Sequence, residues 1–485
     1  MHKEYGKFRF CKLIDMSLII LFLGPVVRIA PNQIHINDPE YIDQVFAGPG
    51  NRRDKGQMSI NGLGTSPTAI ATKEHSLHKS RRAALNPFFS KQNIRRLEPT
   101  IIQVLDQMLQ QLDQSLRTKS PINLSLLYRA TSYDIISEYA FGRGLVSFNR
   151  KDLNEPYFQA HRRMILTWHI NSYFPLISII IRKIPLYMIT IFLPIFKTFI
   201  EFLDVGLVIL ALTTQLSHLQ SATASINQIK SSTTFEEETQ TIFHGLLEST
   251  IPESEKSPAR LAEEAHVLVA AGTDTIASAL TAITYQLLAN PHILRKLRVE
   301  LQDTIREDSL PTFSQIENLP YLSAIIQEGL RLHPGTTARQ ERIAPDEDLY
   351  YTNHRNHITY KIPAGTCVSM TTPLLSRLPD LYPSPHEFRP ERFLENPKLK
   401  NYQFTFSRGT RNCLGMNLAY QEIYMVLACI FRRYDVWNEA MENKLLTPTL
   451  ELFQTSRDDI DIVRDCVTEY TKSGSKGVWV VVRGS

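Results

Sequence analysis

Through most of the middle and end of the chain, apolar positions recur at three- and four-residue spacing, the period of helices that bury one face. The spacing predicts helices over residues 74–89 and 95–116. A longer proline-free pattern covers 260–288 and stops at Asn290-Pro291, where the missing proline N–H should end a helix. At 1.5 Å per residue such a helix spans about 43 Å, enough to cross a whole domain. Further helices are predicted over 292–306, 319–332 and Met416–Arg433. Strand patterns are sparse: residues 26–35, and 360–370 around the turn Ile362-Pro363-Ala364-Gly365. A mainly α fold with one small β-sheet is expected.

Two apolar stretches raise the question of a membrane. Residues 16–23 are far short of the ~20 needed to span a bilayer. Residues 174–212 are interrupted by Arg182, Lys183, Pro185, Pro194, Lys197, Glu201 and Asp204. Charges near a bilayer centre are expensive, so this segment is expected to touch a membrane surface without crossing it.

Composition narrows the chemistry. The 485 residues carry a net charge of +4, with 53 basic and 49 acidic side chains. That small, dispersed excess is no nucleic-acid footprint, so no nucleic-acid partner is expected. The five cysteines, Cys11, Cys367, Cys413, Cys429 and Cys466, are too scattered for a disulfide framework and form no C-x-x-C pair. Any chemistry at sulfur therefore falls to one cysteine and its surroundings.

Cys413 has the most distinctive setting, Phe406-Ser407-Arg408-Gly409-Thr410-Arg411-Asn412-Cys413-Leu414-Gly415. Two glycines allow a tight turn with positive φ angles, and a helical pattern follows at once. Free amides and the positive dipole end of that helix favour a thiolate. Arg411 adds a planar fork suited to a carboxylate. The segment resembles the haem-binding loop F-x-x-G-x-R-x-C-x-G of the cytochrome P-450 family at every fixed position. The resemblance implies haem b, with Cys413 as the axial thiolate of its iron and Phe406, Arg411 and Gly415 at the cofactor.

Other motifs carry the same resemblance in family order. Glu328 and Arg331 form E-x-x-R, and Pro390-Glu391-Arg392-Phe393 looks like the family's P-E-R-F element. By that likeness, Glu328, Arg331 and Arg392 form a structural network bracing the haem loop. Ala271-Gly272-Thr273-Asp274-Thr275 matches the oxygen-binding pattern A-G-x-D-T. On a helix, Ala271, Gly272 and Thr275 share one face and leave a hole beside a hydroxyl. The resemblance makes these residues catalytic, with Thr275 hydrogen-bonding dioxygen and Asp274 helping to deliver protons. His78 and Arg82 stand where the family often has W-x-x-x-R toward a haem propionate, with His78 in place of tryptophan. A further propionate contact is expected from Arg342 rather than Arg339.

The likeness runs from about Gly24 to Val482 and implies a single P-450 haem domain over 24–485. It is similar to fungal secondary-metabolism members of the trichodiene-oxygenase-like kind. It implies a monooxygenase that hydroxylates or epoxidises an apolar small molecule, a terpenoid or polyketide, using O2. Electrons would come from NADPH through a separate membrane-bound flavoprotein reductase, because no G-x-G-x-x-G follows a strand here. The implied location is the cytosolic face of the endoplasmic reticulum membrane. Two alternatives remain at this stage: a haem-thiolate isomerase or dehydratase, and a non-catalytic haem-binding pseudoenzyme from a damaged gene.

The start of the chain departs from the family. Members usually begin with an anchor helix and then read Y-G-P-V-V-R-I. Here Tyr5-Gly6 and Pro25-Val26-Val27-Arg28-Ile29 are separated by residues 7–23. Gly6-Lys7 can encode a splice donor and Leu23-Gly24 an acceptor, in frame. Residues 1–23 are therefore expected to be irregular, with 7–23 a retained intron and the anchor helix lost upstream.

Overall fold

Nine helices frame the candidate site: α1 (His75–Leu85), α2 (Glu98–Thr118), α3 (Leu124–Phe141), α4 (Glu155–Ile165), α5 (Pro258–Ala289), α6 (Pro291–Thr304), α7 (Pro320–Leu332), α8 (Glu391–Glu395) and α9 (Met416–Arg433). The computed structural model describes residues 24–64, 67–142, 144–176, 219–230, 241–306, 309–354, 357–437 and 447–484. The expectations for residues 1–23 and for nearly all of 174–212 lie outside these.

Local chemistry sets the helix limits. Pro258 opens α5 at a position where a missing N–H costs nothing, and the Asn290-Pro291 junction closes it. α5 runs 32 residues through the core. It is long and apolar enough to cross a membrane, but its apolar window is 61% buried within the fold, as a core helix requires. The pattern over 95–116 is divided by Leu97. Before it lies a short helix, Lys91–Arg96, capped by Ser90; after it α2 starts with Pro99 in its first turn. α3 escaped the periodicity because it is buried almost all round, with Ala130 through Ser137 entirely interior. It packs along α5, where the Tyr128 hydroxyl meets Thr284 Oγ1 at 2.8 Å.

The β structure corrects the expectation of one sheet. A five-stranded sheet has the order β1-β2-β8-β5-β3, from β1 (Val26–Ala30), β2 (Gln33–Ile36), β3 (Asp54–Lys55), β5 (Gln340–Ile343) and β8 (Cys367–Met370). A four-stranded sheet joins β4 (Ile122–Asn123), β13 (Trp479–Arg483), β10 (Thr449–Leu452) and β9 (Asp435–Val436). Two hairpins complete the described sheets: β6 (Leu349–Thr352) with β7 (Thr359–Ile362), and β11 (Arg464–Cys466) with β12 (Thr468–Tyr470). The strand expected over 26–35 is an antiparallel hairpin, turned at Pro31-Asn32. The one expected over 360–370 is two strands in different sheets, separated by Gly365 at φ +80°. The main apolar core lies among the helices, and a smaller one under the first sheet holds Ile36, Phe46, Val368 and Phe404.

Candidate active site

The Cys413 loop is built by one bond and one close approach. The Cys413 amide donates to the Phe406 carbonyl at 2.8 Å, closing the turn. Gly409 has φ +69°, and a Cβ there would lie 2.2 Å from the Ala47 carbonyl oxygen, so only glycine fits. Gly415 differs from the expectation of a positive φ: it sits at φ −84° as the residue preceding α9. Its N–H bonds the Cys413 sulfur. Phe406 lies beside Tyr420 of α9, ring centres 5.0 Å apart.

Of the four described cysteines, only Cys413 is exposed. Its sulfur is reachable yet sits in a recess. Burial there pushes the thiol up, and the Gly415 amide and Arg82 charge only partly offset this. The thiolate expected at a helix start is thus not favoured by the protein alone, and a metal would have to displace the proton. Burial pushes Cys367, Cys429 and Cys466 up to about 12, the behaviour of inert core thiols.

Beside the loop lies a cluster of cations. Arg342, buried and stacked over Phe46, donates to the Glu341 carbonyl at 2.8 Å and to Ser407 Oγ at 3.4 Å. Burial and the Arg411 charge push it down to about 9. Lys55 is pushed down to about 7 by burial and by Arg342 and Arg411. His78 is buried and lowered to about 2 by burial and the surrounding Arg411, Arg82, Lys55 and Arg342. His78 is therefore a neutral ring, so any contact it makes with an anion is a hydrogen bond rather than an ion pair.

Two arginines are tied differently from the sequence expectation. Arg411 spends three N–H groups on the carbonyls of Arg53 (3.2 Å), Thr72 (2.7 Å) and Lys73 (2.7 Å), fastening the loop to residues 53–73. Two of its five donors remain for an anion. Arg82 holds Asn412, through the carbonyl at 2.6 Å and Oδ1 at 2.8 Å. Crowded cations that depress one another fit an anionic group, and a soft sulfur beside them fits iron. The donor set therefore suits a haem with propionates.

On α5, Ala271 is exposed although the helix around it is mostly buried. Thr275, one turn on, donates its hydroxyl to the Ala271 carbonyl at 2.6 Å. Gly272 does not share this open face as expected. A Cβ there would meet Ile136 of α3 at 3.0 Å, so its smallness serves close helix packing. Asp274 is buried and bonded away from Thr275, to Arg129 at 3.0 Å and His161 at 2.7 Å. Gly335, at φ +74°, backs onto Thr275, where a Cβ would stand 3.1 Å from it.

Glu328, Arg331 and Arg392 come together in a fully buried network. Arg331 grips Glu328 with two bonds of 2.7 and 2.9 Å, and Arg392 adds a third at 3.0 Å. Arg331 also holds the carbonyls of Ser376 and Pro385, each at 2.8 Å. The network thus braces the strand-to-loop segment, while Thr405 ties the haem loop to the Leu330 carbonyl at 3.0 Å. Arg339 contacts Met58 sulfur. Sequence reading missed Lys55, Arg129, His161 and Gly335. Only Gly335, after His333-Pro334, carried a local turn signal.

The family model for Cytochrome P450 matches residues 22–459. Among curated relatives, the Cytochrome P450 monooxygenase tpcC of Cochliobolus heterostrophus is 36% identical over 95% of this chain and 85% of its own length. The Cytochrome P450 monooxygenase astB of Talaromyces wortmannii has the same identity and coverage. The N-acetyltryptophan 6-hydroxylase ivoC of Emericella nidulans is 34% identical over 94% of this chain and 84% of its own length. The chain belongs to the cytochrome P450 family and has the mainly α P-450 fold. It is a haem monooxygenase, an oxidoreductase of the kind found in fungal secondary metabolism.

Proposed function

We propose that the protein inserts one oxygen atom of O2 into an apolar terpenoid or polyketide, by hydroxylation or epoxidation. We read residues 24–485 as one haem domain. Cys413, exposed where the other described cysteines are buried and bonded by the Gly415 amide, is the observation that carries this reading. Haem supplies the activation of dioxygen, and thiolate ligation favours O–O cleavage. His78, Arg342, Arg411 and Lys55 would hold its propionates. Arg82 would act beside Cys413 through Asn412, and Phe406 and Gly415, which flank Cys413 in its loop, would help to hold the cofactor. Glu328, Arg331 and Arg392 would keep the loop in register.

The exposed Ala271 would leave room for dioxygen, and Thr275 would offer it a hydroxyl in place of its bond to the Ala271 carbonyl. Asp274 would refill that hydroxyl with protons. NADPH electrons would arrive from a separate flavoprotein reductase at the cytosolic face of the endoplasmic reticulum. Residues 174–212 would rest on that membrane surface. Asp274 and Thr275 favour this over an isomerase or dehydratase, which has no need to activate oxygen.

Difference spectra against terpenoid and polyketide panels, followed by turnover with reductase and NADPH, test the reading. A binder should be oxidised with NADPH consumption; binding without NADPH-dependent product contradicts it. Thr275→Ala is expected to keep haem and NADPH oxidation but to divert reduced oxygen to peroxide. Unchanged coupling of NADPH to product would remove Thr275 from proton delivery.

A further inference from the structure

Between Gly272 and Tyr285 every position of α5 is buried except Thr275 and Ser278. The two are three residues apart and so share one face of the helix. A cavity of about 390 Å³ has Ser278 and Ala282 in its wall, one and two turns past Thr275 on that face. The volume lies within the range of small-molecule sites, roughly 300–1,000 Å³. A second tie leads back to Thr275. Glu469, also in the wall, accepts the Gly335 amide at 2.8 Å, and Gly335 backs onto Thr275.

Leu126, Phe158 and Ile460 give the cavity apolar wall, and most of its charges are already engaged or open to water. Glu155 and Lys476 are exposed. Asp459 accepts from the Ser475 hydroxyl at 2.8 Å and pairs with Lys472 at 3.3 Å. Glu469 holds the Gly335 amide and faces His333 at 3.4 Å. Arg129 donates to Asp274 at 3.0 Å and to the Ser125 carbonyl at 3.1 Å.

Arg162, from α4, is the exception. It is half-buried, and its one hydrogen-bond partner among the described residues is the Thr471 hydroxyl at 3.3 Å. No described carboxylate pairs with it. The Tyr470 ring lies 5.1 Å from the guanidinium and fixes its plane. Burial and the neighbouring Arg129 charge push Arg162 down. A cation removed from water without a counter-charge is costly, and an anion in the cavity would offset that cost. The planar fork of its free N–H groups matches a carboxylate.

We propose that the substrate is an amphiphilic carboxylic acid and that Arg162 is the specificity-determining residue that holds its carboxylate in this cavity. The apolar body would extend along the open face of α5 toward Thr275, so that a carbon away from the acid end is presented for oxidation. This rests on the monooxygenase reading of Thr275 and narrows its terpenoid or polyketide to acids.

Calorimetry of the holoenzyme at neutral pH, without reductase or NADPH, tests the proposal. The probes are farnesoic, lauric and salicylic acids, each set against its primary amide, which keeps the shape and loses the charge. The wild type should bind at least one acid more tightly than its amide, by about tenfold or more. Arg162→Leu and Arg162→Gln should lose that preference with amide affinity unchanged, and Arg162→Lys should keep part of it. Acids that bind no better than their amides, or not at all, would overturn the proposal. So would an acid preference that survives in Arg162→Leu, which would put the anion on other cations. Acetate binding as tightly as the acids would mean a site for free anions and would overturn the substrate assignment. If Arg162→Leu does not fold, Arg162→Gln makes the same comparison. Failure of the monooxygenase reading would look different: an Arg162-dependent acid preference, but no oxidised product once reductase and NADPH are added.

Discussion

Lys55 donates its ammonium to the Ile70 carbonyl at 2.7 Å, in a neighbourhood dominated by arginines. Because its folded value is lowered to about 7, it binds its proton less well than in the unfolded chain. This lowers stability as pH falls from the ordinary lysine range, and the penalty is complete below about 7. A propionate beside it would reverse the shift. Haem binding at pH 8 is therefore expected to take up protons, more in the wild type than in Lys55→Met. Calorimetry of haem reconstitution in two buffers of different ionisation enthalpy measures this. Uptake unaffected by Lys55→Met would place the anion elsewhere.

At the scale of elements, α7 and α8 are joined by charge rather than apolar packing alone. Glu328 accepts from Arg331, Arg392 and the Arg389 amide, and the Glu328, Arg331 and Arg392 side chains are almost fully buried. Removing the shared carboxylate would strand two buried cations, a loss of about 3–5 kcal/mol. Glu328→Ala is expected to lower the denaturation midpoint accordingly and to yield protein poor in haem. A midpoint within experimental error of the wild type would contradict the bracing role.

The E-x-x-R spacing was legible because Glu328 and Arg331 lie within one helical turn. α9 was legible to both ends, since the loop glycine fixes its start and Arg433-Tyr434 leaves its apolar pattern. α3 was not, because a helix buried on every side has no polar face to mark its period. The break at Pro31-Asn32 carried a turn signal that the apolar run on either side obscured. Arg129 and His161 reach Asp274 from helices far away in the chain, and no local pattern announces such a meeting.

Taken as a whole, the molecule brings a cysteine loop, a cation cluster and a small-residue turn of its core helix into one framework. Arg411 fastens the loop to residues 53–73, Arg82 fastens it to α1, and α9 packs against α5. These ties explain why Cys413 is presented while Cys367, Cys429 and Cys466 are sealed in the core. The ferrous carbon-monoxide spectrum tests this most directly. The wild type is expected to show the long-wavelength Soret band of thiolate ligation. Cys413→Ala should lose it, and Cys367→Ala, Cys429→Ala and Cys466→Ala should retain it. A Cys413→Ala protein that keeps the band would contradict the assignment of the haem ligand, and with it the site built around that residue.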